Sequence, residues 1–183
     1  MAETWVDDVL DFWFGELTYE DWFGGKPELD ETIRARFGDL YRRMKVDFDI
    51  AKVDDPRTAL AAIILFDQMP RNMFRRSAEA FGSDDIAIGV ARLADERDYD
   101  SKVEPERRSF LYMPFMHSEV SADQERCVDL FRALGNEGGL KYAIEHRDIV
   151  ARFGRFPHRN RVLGRESTAA EIDFLKGHDG YGQ

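Results

Sequence analysis

The sequence has only one cysteine, Cys127, among its 183 residues. A single thiol excludes an intrachain disulfide and any zinc site built from several cysteines. No window approaches the roughly 18 consecutive apolar residues that indicate a membrane-spanning helix. The amino-terminal segment carries acidic residues where a secretory signal has a basic start. We therefore expect a soluble, cytoplasmic protein without disulfides.

Positive charge is also scarce, because 36 acidic residues outnumber 26 Lys and Arg residues and give a formal net charge of -10 at pH 7. A net negative field repels polyanions, so we expect neither a nucleic acid nor a membrane surface as partner. The hydrophobic content of 43% is typical of a folded globular protein and not of a disordered chain. A chain of this length is most simply one domain. We predict a single domain over 1–183, with a frayed tail from about residue 178 to 183.

Apolar residues recur at steps of three and four along most of the chain, and no run alternates as a strand does. Two segments, 59–66 and 110–116, are apolar on nearly every side, so we expect them in the middle of a helical assembly. The sequence predicts an all-α fold of about seven or eight helices. Helix starts are predicted at Asp55–Pro56 and at Pro105. Reciprocal capping boxes are predicted for Ser121 with Gln124 and for Thr168 with Glu171.

Both nearly all-apolar helices end in a cluster of polar residues. The segment LFDQMPRN carries Asp67, Arg71 and Asn72, and the segment YMPFMHSE carries His117 and Glu119. A buried helix that ends in charge can form the floor of a pocket or can simply exit to solvent. Proline disrupts helical hydrogen bonding, so the chain is predicted to turn at the proline of the first segment, with its arginine and asparagine projecting from the turn.

The segment RFGRFPHRNRVLGR, residues 152–165, carries five arginines and one histidine without a single carboxylate. Arginine's planar guanidinium suits two-point binding of a carboxylate or a phosphate. Two interpretations stay open: the arginines pair with the protein's own acids, or they bind an anionic ligand. The candidate ligand-binding residues are Asp67, Arg71, Asn72, His146, Arg155, Arg159, Asn160 and Arg165.

Three of the four histidines fall in or beside these clusters. His117 and His158 are candidate catalytic residues, as general acid or base, with Glu119 to orient the ring. Spacings of 29 residues from His117 to His146 and of 12 from His146 to His158 match no compact metal motif. Phosphate-binding loops and dinucleotide fingerprints are also absent from the sequence. We predict no metal and no cofactor.

Four ordered blocks resemble a known family: DFWFG, FDQMPRN, YMPFMHSE and HRDIVARFGRFPHRNRVLGRESTAAEIDFL. Together they are similar to the bacterial domain-of-unknown-function family 924, over nearly the whole chain. That family is similar in fold to tetratricopeptide-repeat proteins, so the resemblance implies a tetratricopeptide-repeat-like helical array. A regular repeat of about 34 residues does not fit this sequence. The resemblance implies no activity and transfers no catalytic residue.

Three functional hypotheses follow. The first is a helical scaffold that binds an anionic small molecule or the carboxylate of an acidic peptide through the Arg, His and Asn residues. The second is a small-molecule hydrolase or lyase that uses His117 or His158 with Glu119. The third is purely structural, with arginines that join helix ends through ion pairs. The sequence leaves the oligomeric state open.

Overall fold

A computed structural model of the protein describes residues 4–178 and 180–182. The regular structure of these residues is helical and includes no strand, so the all-α prediction is confirmed. Seven of the described α-helices have eight residues or more, and the tetratricopeptide-repeat-like arrangement stays a prediction. The α-helices are α1 (Thr4–Asp11), α2 (Tyr19–Phe23), α3 (Pro27–Asp47), α4 (Pro56–Ile63), α5 (Met69–Met73), α6 (Asp84–Glu96), α7 (Pro105–His117), α8 (Ser121–Leu134), α9 (Glu137–Phe153) and α10 (Ala169–Leu175).

The chain divides into two compact units. Unit 1 comprises Met1–Arg75 and Glu79–Pro114, and unit 2 comprises Arg76–Ala78 and Phe115–Gln183. The boundary near residue 114 falls inside α7, so this helix belongs to both units. The prediction of a single domain stays a prediction. Among the described helices, none combines the length and the apolar content that crossing a bilayer requires.

The helix of unit 1 that carries the apolar segment begins where the sequence predicts. The Asp55 side chain accepts hydrogen bonds from the backbone N–H groups of Arg57 and Thr58 at 2.8 and 3.0 Å, and Pro56 opens α4. This cap satisfies donors that the first turn leaves unpaired. Residues 59–66 then follow with no side chain more than 2% exposed, which confirms that the apolar segment is buried.

The chain does not turn at Pro70, and that prediction is wrong. Residues 64–68 form a π-helical segment that leads directly into α5, so the helix continues through Pro70 to Met73. Pro70 lies in the first turn of α5, where a missing backbone N–H costs little. The wider π-helical turn before it changes the hydrogen-bond pattern that a proline would otherwise break. Arg71 and Asn72 therefore lie on a buried helix.

The junction between α7 and α8 in unit 2 corrects a second prediction. Ser121 and Gln124 form no capping box, because α8 has no side-chain cap. Gln124 instead donates from its side-chain nitrogen to the backbone carbonyls of Phe115, Met116 and Ser118, at 3.3, 2.8 and 2.6 Å. Carbonyls at the end of a helix lack intrahelical partners, so this buried amide stabilises the end of α7.

The end of α9 sets the course of the arginine-rich segment. Gly154 has φ of 70°, the left-handed conformation that commonly ends a helix, and Pro157–Arg159 then forms one 3-10 turn. Further along, Thr168 and Glu171 form the predicted capping box at the start of α10. The 3-10 turn and α10 enclose the carboxylate of Glu171, which is 2% exposed. This arrangement brings Arg155 to Glu171 and Arg165 to Glu119, both within unit 2.

Candidate functional site

Glu119 holds the loop after α9 by three hydrogen bonds. Its carboxylate accepts from Arg165 Nη1 at 2.7 Å, from Arg165 Nη2 at 3.0 Å and from the backbone N–H of Phe156 at 2.7 Å. Burial raises the pKa of Glu119, but these hydrogen bonds outweigh it and hold the pKa below its ordinary value. Glu119 is therefore an ionised structural partner, and it makes no hydrogen bond to any histidine within the described residues.

Glu171 forms a second pair close by. It accepts from Arg155 Nε at 2.7 Å, from Arg155 Nη2 at 2.9 Å and from Asn160 Nδ2 at 3.3 Å. The hydrogen bond from Arg155 lowers the pKa of Glu171 to about 2. Arg165 Nε donates to Asn160 Oδ1 at 2.9 Å and joins the two pairs into one network. Arg155, Asn160 and Arg165, all predicted to bind a ligand, are thus bonded to side chains of unit 2.

The candidates of unit 1 are also paired within their own unit. Arg71 lies 3.2 Å from a carboxylate oxygen of Asp67 and donates to both oxygens of Asp84 at 3.0 and 3.2 Å. Asn72 donates to Asp30 at 2.9 Å. Asp67 is fully buried, and Arg71 and Asn72 are at most 8% exposed. These contacts fit the structural interpretation of Asp67, Arg71 and Asn72.

Three histidines come together in unit 2, and with Phe156 they form what is here called the histidine cluster. His117 ends α7, His146 lies on α9 and His158 lies in the 3-10 turn. The ring centroids of His117 and His146 are 6.5 Å apart. The ring of Phe156 lies 5.4 Å from that of His146 and 5.5 Å from that of His158. Residues that are far apart in the sequence therefore line one aromatic region.

Arg159 supplies positive charge to this cluster. It is 7% exposed, and its guanidinium carbon lies 4.6 Å from the centroid of the Phe156 ring. Burial lowers the pKa of His158 to about 3, and the charge of Arg159 contributes next. Burial also lowers the pKa of His146 to about 3, with repulsion from His117 as the next cause. Both imidazoles are accordingly neutral at pH 7.

The ring nitrogens of the two neutral histidines differ in their partners. His146 Nδ1 lies 2.8 Å from the backbone carbonyl of Tyr142, so Nδ1 carries the proton and donates it, and Nε2 is left as an acceptor. His158 Nδ1 is buried and has no hydrogen-bond partner within the part of the chain that the structure describes. A buried polar atom without a partner costs about 1–3 kcal/mol. His158 is therefore the polar group of the cluster with most to gain from a ligand.

Two further residues of the site lie in the segment where the sequence predicts a frayed tail. The ring of His178 stacks on His158 at 6.0 Å with an interplanar angle of 12°, and the ring of Tyr181 stacks on His146 at 4.2 Å and 21°. Asp179 and Gln183 of the predicted tail lie outside the described residues. Sequence reasoning missed His178 and Tyr181, and the signal available for them was two aromatic rings in a short polar segment rich in glycine.

The cluster does not have the arrangement of a metal centre. Across residues 4–178 and 180–182, no group of three or more His, Cys, Asp or Glu side chains could hold a metal ion. What the geometry offers is a buried cation beside two uncharged imidazoles and several aromatic rings. Such surroundings suit an anion better than a cation.

Comparison with known proteins gives the following relationships. The family model described as a bacterial protein of unknown function (DUF924) matches residues 9–179. The structure of a protein of unknown function, ATU0120 from Agrobacterium tumefaciens, is similar with a TM-score of 0.87 and 36% sequence identity. That similarity covers 97% of this chain and 100% of the other. No curated protein matches the chain.

Proposed function

The chain belongs to the DUF924 family of bacterial proteins of unknown function, and because that membership names no activity, we propose from the geometry of unit 2 that it binds a small anion. The anion site comprises His158 Nδ1 and Arg159, with the ring of His146 beside them, and its ligand is a carboxylate or a phosphate. The observation that carries this assignment is the buried Nδ1 of His158, which has no hydrogen-bond partner among the described residues. The next residue in the sequence is the buried Arg159.

Electrostatics favour an anion at this place. Burial is the main cause that lowers both pKa values. The charge of Arg159 is the next cause for His158 and the smallest of the causes for His146, so both imidazoles experience a positive potential. An anion bound beside them would oppose that potential and raise both pKa values. Binding should therefore tighten as the pH is lowered toward the raised pKa values.

The other arginines contribute to the proposed site indirectly. Arg155 and Arg165 are held by Glu171 and Glu119, and these pairs position the segment that carries His158 and Arg159. The alternative of a hydrolase or lyase requires Glu119 to orient a histidine. Glu119 bonds to Arg165 and Phe156 instead, so no observation favours the catalytic alternative over binding.

Calorimetric titration with succinate and with inorganic phosphate at pH 7 tests the anion site. We expect the wild-type protein to bind one of the two probes. Replacing Arg159 by Gln should weaken binding about tenfold or more, since a hydrogen bond to a charged group contributes about 1.5–3 kcal/mol.

Arg161→Gln is the matched control. Arg161 lies two residues along the same segment but is exposed, so its loss should leave the affinity unchanged. Thermal unfolding of each variant shows whether the fold is retained. Equal affinity in wild-type protein and in a folded Arg159→Gln variant would contradict the site, as would wild-type protein that binds neither probe.

A further inference from the structure

The segment after α10 returns to the anion site and lies against it. His178 stacks on His158, and the ring centroid of Tyr181 lies 4.2 Å from that of His146 and 5.3 Å from that of His158. A Cβ atom built on Gly180 would lie 3.4 Å from the Cβ atom of His158. His178, Gly180 and Tyr181 are here called the C-terminal strap. The rings of His178 and Tyr181 contact His158, and Gly180 leaves little room beside it.

The strap is fastened by hydrogen bonds to one carboxylate. Tyr181 donates its hydroxyl to Glu145 Oε1 at 2.9 Å, and His178 Nε2 lies 3.3 Å from the same oxygen. The backbone N–H of Gly180 donates to His178 Nδ1 at 3.0 Å, so Nδ1 is the acceptor and Nε2 carries the proton toward Glu145. Glu145 precedes His146 on α9, and its side chain is 41% exposed. The hydrogen bonds that hold the strap are therefore made to a partly solvent-exposed carboxylate.

The backbone of the strap is strained. Gly180 has φ of 67°, which glycine adopts readily. Tyr181 has φ of 54°, a left-handed conformation that a residue with a bulky side chain rarely adopts. Strain of this kind persists only where surrounding contacts hold it, and it is common at switching segments. The stacking on His146, the ring contacts with His158 and His178, and the hydrogen bond to Glu145 all help to hold Tyr181 here.

We propose that the C-terminal strap is a releasable cover over the anion site, and that a ligand reaches His146 and His158 only when Tyr181 leaves them. This inference rests on the anion site proposed above. It accounts for the burial of His158 Nδ1 and for the 6% exposure of His146, both of which lie against the strap. A bound anion would also repel Glu145, so ligand and strap would compete for the same place.

The accessibility of His146 and His158 can be measured without any ligand. Diethyl pyrocarbonate modifies histidines at pH 7, and mass spectrometry locates the modified residues. The reagent attacks accessible, unprotonated imidazole. We expect Tyr181→Ala to raise the rates at His146 and His158 about tenfold or more, because the substitution removes both the ring stacked on His146 and the hydrogen bond to Glu145. Glu145→Gln should raise both rates less, since the amide oxygen still accepts a hydrogen bond from Tyr181.

Two controls keep this test specific. Tyr19→Ala removes a tyrosine of unit 1 that is 73% exposed, and it should leave the histidine rates unchanged. Cys127 is fully buried in unit 2, so continued resistance of its thiol to a thiol reagent shows that Tyr181→Ala is still folded. Unchanged modification rates at His146 and His158 in a folded Tyr181→Ala variant would overturn the proposal that the strap covers these residues.

Titration of the same variants with inorganic phosphate separates the strap from the anion site. Tighter binding in Tyr181→Ala than in wild-type protein supports a cover that competes with the ligand. Raised modification rates with no phosphate or succinate binding in any variant would overturn the anion site alone, because the covering contact would still be established. Phosphate affinity that falls in Tyr181→Ala while the rates rise would overturn the cover, because Tyr181 would then belong to the binding surface.

Discussion

Acidification from pH 7 to pH 5 is expected to lower the free energy of unfolding by about 4 kcal/mol through two histidines, His146 and His158. Burial lowers the pKa of each to about 3, against an unfolded value near 6.5. Between these values the unfolded chain binds protons that the native protein does not bind. Below pH 6.5 the loss is about 1.4 kcal/mol per pH unit for each group, so it reaches about 2 kcal/mol for each histidine at pH 5.

The direction of the effect follows from depressed histidine pKa values. The stabilisation is fully present above pH 6.5 and is lost progressively as the pH falls toward 3. Glu119 and Glu171 do not obscure this loss between pH 7 and pH 5. Their pKa values lie below 4.5, so their contribution to the free energy of unfolding is lost only at lower pH. His117, Arg159 and Arg165 add repulsion that opposes protonation of the rings.

Urea unfolding at pH 7, 6 and 5, followed by circular dichroism, measures this loss. His146→Phe keeps an aromatic ring against Tyr181 and should remove about half of the pH dependence. The double variant with His158→Phe should remove nearly all of it. A wild-type free energy of unfolding that is constant between pH 7 and pH 5 would contradict the burial of two neutral histidines.

Replacing Arg71 by Met should lower the free energy of unfolding by about 3–5 kcal/mol, the range for breaking a buried ion pair at one partner. Arg71 lies between the carboxylates of Asp67 and Asp84. Burial opposes its charge, but these two carboxylates outweigh burial and raise the pKa of Arg71. In the variant, the fully buried Asp67 loses a compensating cation, which is the main source of the expected loss.

Arg43→Met is the matched control for this prediction. Arg43 is exposed on α3, so the same substitution there should change the free energy of unfolding by less than about 0.5 kcal/mol. All three tryptophans lie in unit 1, so their fluorescence follows that unit, whereas circular dichroism follows the whole chain. Coincident transitions are what the predicted single domain requires. A loss below 1 kcal/mol for Arg71→Met would contradict the structural role of the pair.

Local signals in the sequence predict the helices and several of their ends. Asp55 and Thr168 cap their helices as expected, because a cap needs only side-chain and backbone groups within three residues. The predictions of a turn at Pro70 and of a capping box with Gln124 are wrong because they depend on more distant residues. The π-helical segment before Pro70 and the carbonyls that Gln124 binds depend on neighbours that a local pattern does not specify.

The candidate site is predicted only in part for the same reason. The sequence places arginines and histidines in clusters but does not say which acid each arginine meets, since Arg155 pairs across 16 residues and Arg165 across 46. The sequence also does not say which arginine is buried beside the histidines, and in the structure it is Arg159. The contacts of Tyr181 depend on a chain reversal after α10 that no periodic pattern indicates.

The central claim is that unit 2 binds an anion beside His146 and His158, and the imidazole resonances of the four histidines test it most directly. Nitrogen–proton correlation spectra would be recorded at pH 7 as inorganic phosphate, and then succinate, is added at constant ionic strength set by chloride. We predict saturable shifts of the His146 and His158 resonances with one of these probes, because an anion beside the rings changes the electric field at both of them. Shifts no larger than those caused by chloride alone, with either probe, would contradict the account.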